Sequence, residues 1–174
     1  SWKPGYYQPW AENASAIQAT GVKNLVIRNN YIHDNNVGAS AFSVYPSRFS
    51  ENCQIINNVF ERIGGEGDSQ NHVTYTECAG ELLQGNTSFQ PPNWSSVFKS
   101  RGVRTRIYSN YIDSGDAAAD LVDSANMRNL EGNADPDVIA NNFITRRAGY
   151  DNDRYVHFGG DSGNVGAYRH NTLY

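Results

Sequence analysis

Leu25-Val26-Ile27-Arg28-Asn29-Asn30-Tyr31-Ile32 decides the fold, because its pattern returns five more times. The echoes are Gln54-Ile55-Ile56-Asn57-Asn58-Val59-Phe60, Leu82-Leu83-Gln84-Gly85-Asn86-Thr87-Ser88-Phe89, Arg106-Ile107-Tyr108-Ser109-Asn110-Tyr111-Ile112, Val138-Ile139-Ala140-Asn141-Asn142-Phe143-Ile144 and Ala167-Tyr168-Arg169-His170-Asn171-Thr172-Leu173. Each reads as a short apolar strand, a polar bend ending in Asn, and a second short strand. The aligned asparagines Asn30, Asn58, Asn86, Asn110, Asn142 and Asn171 stand 28, 28, 24, 32 and 29 residues apart. A period of this size is the mark of a solenoid. No unit sustains a 3.6-residue period with helix caps, so the repeats are strands rather than helices.

The repeat accounts for the composition. Asn makes up 21 of the 174 residues. It tolerates the left-handed backbone of a sharp bend. Coils stacked about 4.8 Å apart also let equivalent amides bond up and down a ladder. Most asparagines are therefore scaffold, and the three sequons at Asn13, Asn86 and Asn93 are accidents of that excess. The net charge of −4 argues against a nucleic-acid backbone as partner. No apolar run approaches the length of a membrane span. Cys53 and Cys78 make no disulfide framework; two small buried thiols are expected, with a bond between them as the alternative.

The Asn-bend pattern through residues 16–174 resembles the right-handed parallel β-helix repeat proteins, which include pectate-lyase-like polysaccharide lyases, some glycoside hydrolases and esterases, and phage tailspikes. The resemblance implies an all-β solenoid of about six coils, each of roughly 28 residues. Residues 1–174 form one β-helix domain, with an aromatic-rich leading segment at 1–15. Neither end carries an evident cap, so the domain is expected to be part of a longer β-helix or to associate end to end. The resemblance also implies an acidic polysaccharide as partner and an extracellular or periplasmic location. The rival reading is a non-catalytic glycan-binding or self-assembling solenoid, such as an adhesin, tailspike-like or filament module.

A further strand precedes each bend. Stacking His72–Glu77, Ser96–Arg101, Asp120–Ala125 and Tyr155–Gly160 puts Thr74, Phe98, Val122 and His157 in one inward column. Thr76, Ser100, Ser124 and Gly159 form another. The opposite face then gathers Tyr75, Lys99 and Asp123, with Glu77 and Arg101 beside them. Lyases resembling this scaffold remove the proton α to a uronate carboxylate from such a face. That chemistry needs a base, a cation for the carboxylate and an acid for the leaving oxygen. The resemblance assigns Lys99 as base, Arg101 as the fork on the carboxylate, and Tyr75 or His72 as acid. Asp123 and Glu77 would contact substrate, or pair with Lys99 and Arg101 as ordinary cross-coil ion pairs. Trp94 and Tyr150, on longer loops, are candidate stacking walls for sugar rings. Asp120 and Asp123 are weak candidate ligands for a Ca²⁺ ion, without a loop signature to support them. His33 and His170 read as solvated bend residues.

Overall fold

The computed structural model describes residues 15–44, 47–64, 71–89, 96–114, 117–123, 127, 136–146, 155–160 and 166–174. The chain is an all-β parallel β-solenoid. Three sheets run along it, each of six strands, and every strand pairs in parallel with its equivalent in the next coil. Sheet I holds Ser15–Thr20, Val37–Phe42, Thr74–Thr76, Phe98–Ser100, Ala119–Asp123 and Val156–Gly160. Sheet II holds Val26–Arg28, Gln54–Ile56, Leu82–Gln84, Arg106–Tyr108, Asp137–Ala140 and Gly166–Arg169. Sheet III holds Tyr31–Asn35, Val59–Ile63, Thr87–Phe89, Tyr111–Ser114, Phe143–Arg146 and Thr172–Leu173. No helix among the described residues is long and apolar enough to cross a membrane.

Alternation within each short strand sends one side chain inward per coil. In sheet II the inward column is Ile27, Ile55, Leu83, Ile107 and Ile139. In sheet III it is Ile32, Phe60, Ser88, Ile112 and Ile144. All ten are buried. The interior is thus a stack of like on like, and each layer is closed only by its neighbours.

The asparagine ladder runs as the spacing predicts. Each ladder residue offers its backbone N–H and its Nδ2 to the Oδ1 of the next, from Asn30 through Asn58, Asn86, Asn110 and Asn142 to Asn171, at 2.8–3.1 Å. The Nδ2 atoms also donate to carbonyls of the preceding coil, those of Ile27, Ile55, Leu83, Ile107 and Ile139. One detail differs from expectation. The left-handed backbone falls on the residue before each ladder asparagine: Asn29, Asn57, Gly85, Ser109, Asn141 and His170. Bend and ladder are divided between consecutive residues, so asparagine is demanded only at the second. Asn86 is buried with its amide bonded on both sides, which removes it as a glycan acceptor.

Cys53 and Cys78 form a disulfide, with Cα atoms 6.3 Å apart. The expectation of two free thiols gives way. The two positions are 25 residues apart, close to one repeat, and so fall over each other in adjacent coils. The short pair Ser50–Glu51 with Cys78–Ala79 lies beside the bond.

Candidate functional site

Sheet I presents the candidate site on its outer face. The register pairs Thr74, Tyr75 and Thr76 with Phe98, Lys99 and Ser100, as the sequence suggested. Beyond that strand the expected alignment fails. Phe98, Lys99 and Ser100 pair with Ala119, Asp120 and Leu121, three residues earlier than expected. Asp120 in turn pairs with His157. An odd slip exchanges the two faces. Leu121 therefore fills the core in place of Val122, and His157 leaves the interior column for the outer face. The outer row reads Ser40, Tyr75, Lys99, Asp120 and His157 across five consecutive coils.

Asp120 sits at the centre of this row. Its Oδ2 accepts from Lys99 Nζ at 2.5 Å, and its Oδ1 faces His157 Nδ1 at 2.8 Å. Burial alone would raise the Asp120 carboxyl; the hydrogen bonds and charges of Lys99 and His157 outweigh it and hold the group below the ordinary carboxylate range. An ionised carboxylate only accepts, so the proton of the imidazole stands on Nδ1. The Nε2 lone pair is then directed away from Asp120. The side chains of Lys99 and Asp120 are 15 % and 13 % exposed, and that of His157 is 39 % exposed, so the ring is the accessible member. Gly159 follows on the same face. A Cβ there would stand 2.9 Å from His157 Nε2, so the bare backbone is what lets the ring lie along the strand.

Tyr75 continues the row beyond Lys99. Its ring meets Phe42 and His72 edge-on, each with centroids 5.2 Å away. His72 is buried, its Nδ1 lies 3.0 Å from the Ser96 carbonyl, and its ring packs edge-on against Tyr75. Arg101 and Glu77 lie two residues past Lys99 and Tyr75. Burial raises the Glu77 carboxyl and the charge of Arg101 draws it back, as expected of cross-coil neighbours. Asp123 pairs through its backbone with Gly160 and is not the strand partner of Lys99. Trp94 and Tyr150 lie outside the described residues.

Of the two candidate ligands for Ca²⁺, Asp120 is engaged elsewhere. Both oxygens of Asp120 are already met by nitrogen. Among the described residues no three acidic, His or Cys side chains gather where a metal could be held.

Two features of the site escaped the sequence. They are the outward position of His157 and the place of Asp120 beside Lys99. Counting back from the ladder locates Tyr75 and Lys99, which each lie 11 residues before Asn86 and Asn110. It fails for Asp120, 22 residues before Asn142, because extra chain intervenes between sheets I and II in that coil.

No protein-family model, no curated protein and no solved structure matches the chain. Its class rests on the fold: a parallel β-solenoid carrying a Tyr–Lys–Asp–His row on one sheet.

Proposed function

We propose that the chain is a carbohydrate-active solenoid that cleaves an acidic, uronate-containing polysaccharide by β-elimination on the outer face of sheet I. The observation that carries this reading is Asp120 held between Lys99 and His157. A carboxylate on Nδ1 fixes the ring and its tautomer, and so leaves Nε2 to accept the proton. His157, rather than Lys99, is then the base. An ammonium already seated on a carboxylate serves as a positive charge.

His157 Nε2 takes the proton from C5 of the uronate. The released pair forms the C4–C5 double bond, the C4–O bond breaks, and its oxygen leaves with the electrons and takes a proton from water. Lys99 offsets the charge that builds on the uronate carboxylate in the transition state. Tyr75 stands three strands from His157, roughly 14 Å at the spacing of paired strands. That is too far to protonate the same leaving oxygen, so Tyr75 serves as a wall for a neighbouring sugar. The Cys53–Cys78 bond favours an oxidising, extracellular or periplasmic compartment.

The test is ultraviolet detection of the unsaturated uronide on polymers of galacturonate, glucuronate, mannuronate and guluronate, with and without Ca²⁺. One polymer should yield the alkene, and His157→Ala should lower the rate by about 100-fold or more. Alkene from none of them, or full activity in His157→Ala, overturns the proposal. A binding-only solenoid is the second reading. It is favoured by the exposed rings of Phe89, Tyr111 and Phe143 on sheet III, the latter two stacked at 5.6 Å. Polymer retention without alkene is its signature.

A further inference from the structure

The outer face of sheet I carries its charges in a fixed order along the solenoid. Beside the row Tyr75, Lys99, Asp120 and His157 runs a second column, two residues further along each coil: Phe42, Glu77, Arg101, Val122 and Gly159. Among the described residues of these columns, the charges are an acid at Glu77, cations at Lys99 and Arg101, and an acid at Asp120. Both cations thus lie in one coil, with a carboxylate in the coil on either side. Acids and cations balance in number, so the face has no positive surplus for a run of anions.

The Glu77 coil is otherwise aromatic. Tyr75 meets Phe42 and His72 edge-on, with centroids 5.2 Å away in each case. Phe42, Tyr75 and Glu77 are half-buried, so each shows part of its surface to a ligand lying on the face. Burial raises the Glu77 carboxyl, while the charge of Arg101 and the Ser43 backbone N–H draw it back. Paired strands stand about 4.8 Å apart, close to the advance of one pyranose along a glycan chain. A uronate whose carboxylate lies at Lys99 therefore places its neighbour over Phe42, Tyr75 and Glu77. A neutral sugar suits that coil. Its C–H face packs on the rings, and a hydroxyl donates to the Glu77 carboxylate. A second uronate does not suit it, because its carboxylate would enter beside a half-buried carboxylate, where like charges are poorly screened.

We propose that the substrate of the sheet I site is a heteropolymer in which uronate alternates with a neutral sugar, and that Glu77 is the specificity residue that disfavours a homopolyuronate. The proposal rests on the sheet I reading and names the class of polymer within it. Phe42 and Tyr75 form the wall for the neutral sugar, and Glu77 supplies the repulsive element that specificity requires.

The experiment compares kcat/KM for alkene formation on two matched pairs of polymers. One pair is polyglucuronate and a chain in which glucuronate alternates with an N-acetylhexosamine. The other is polygalacturonate and a chain in which galacturonate alternates with a deoxyhexose. In the pair that holds the substrate, the alternating chain should be cleaved about tenfold faster or more. Glu77→Gln should narrow that ratio by about tenfold through faster cleavage of the homopolymer, a gain that a damaged fold does not produce. Added salt should narrow the ratio in the unsubstituted protein, because it screens Glu77 from the second carboxylate. The salt measurement stands even where Glu77→Gln fails to fold. A homopolymer cleaved as fast as the alternating chains, or a ratio that either Glu77→Gln or salt leaves unchanged or widens, overturns the proposal and leaves the sheet I reading in place. Absence of alkene from every polymer overturns that reading, and the proposal with it.

Discussion

Glu81 places a carboxyl inside the solenoid, 1 % exposed. Burial pushes its pKa from 4.5 to about 7; the hydroxyls of Thr76 and Ser100 act against the rise, and the charge of Asp137 adds to it. The folded state therefore holds a proton that the unfolded chain has already released. Stability from this group is fully present below about pH 4.5 and falls as pH rises to about 7. The loss amounts to roughly 3 kcal/mol. Denaturant titrations of Glu81→Gln should accordingly show a flatter profile than the natural sequence, with the variant the more stable above pH 7. Parallel profiles would mean that Glu81 is ionised in the fold. Asn110 accepts from the backbone and side chain of Asn86 and donates to Leu83 and Asn142. Asn110→Ala strands several buried partners at once and should cost on the order of 3 kcal/mol in chemical denaturation.

Among the elements, the strands and bends repeat but the corners do not. The disulfide joins two corners in adjacent coils and closes a loop of 25 residues. Chain entropy assigns such a loop roughly 3 kcal/mol. Reduction, or Cys53→Ala with Cys78→Ala, should lower the denaturation midpoint accordingly, while far-ultraviolet circular dichroism keeps its β signature. Sheets II and III were legible because a single ladder hydrogen-bond pattern must recur at every bend, which fixes their register. Sheet I was not. Asp120-Leu121-Val122-Asp123 places an acid at both ends of an apolar pair. Alternation can then put either Leu121 or Val122 inside with equal ease, and neither choice strands an acid in the core without the other doing the same. The structure resolves the tie through Leu121, 1 % exposed and stacked on Ser100. That choice places Asp120 beside Lys99 and moved the site by three residues. The Tyr75–Lys99 half of the site was readable because no insertion separates those strands from their ladder asparagines.

For the whole molecule, a solenoid has no single centre. Each coil contacts only its neighbours, so local stability is set by how completely a coil is sandwiched. The inward columns show the gradient. Leu83, Ile107 and Ile139 of sheet II are fully buried, whereas Tyr168, the next in that column, is 42 % exposed. In sheet III, Ile112 and Ile144 are fully buried and Leu173 above them is 45 % exposed. Opening the last strands breaks one interface, whereas opening Leu82–Gln84 or Arg106–Tyr108 breaks two. Native-state amide exchange on this 174-residue chain should therefore be slowest in those central strands and faster in Gly166–Arg169 and Thr172–Leu173, by on the order of 100-fold. Uniform protection along the rod would refute nearest-neighbour stability and indicate one cooperative unit. The same measurement at two protein concentrations addresses end-to-end association. Copies stacked coil on coil would slow exchange in Gly166–Leu173 as concentration rises, and concentration-independent exchange there rules that mode out in solution.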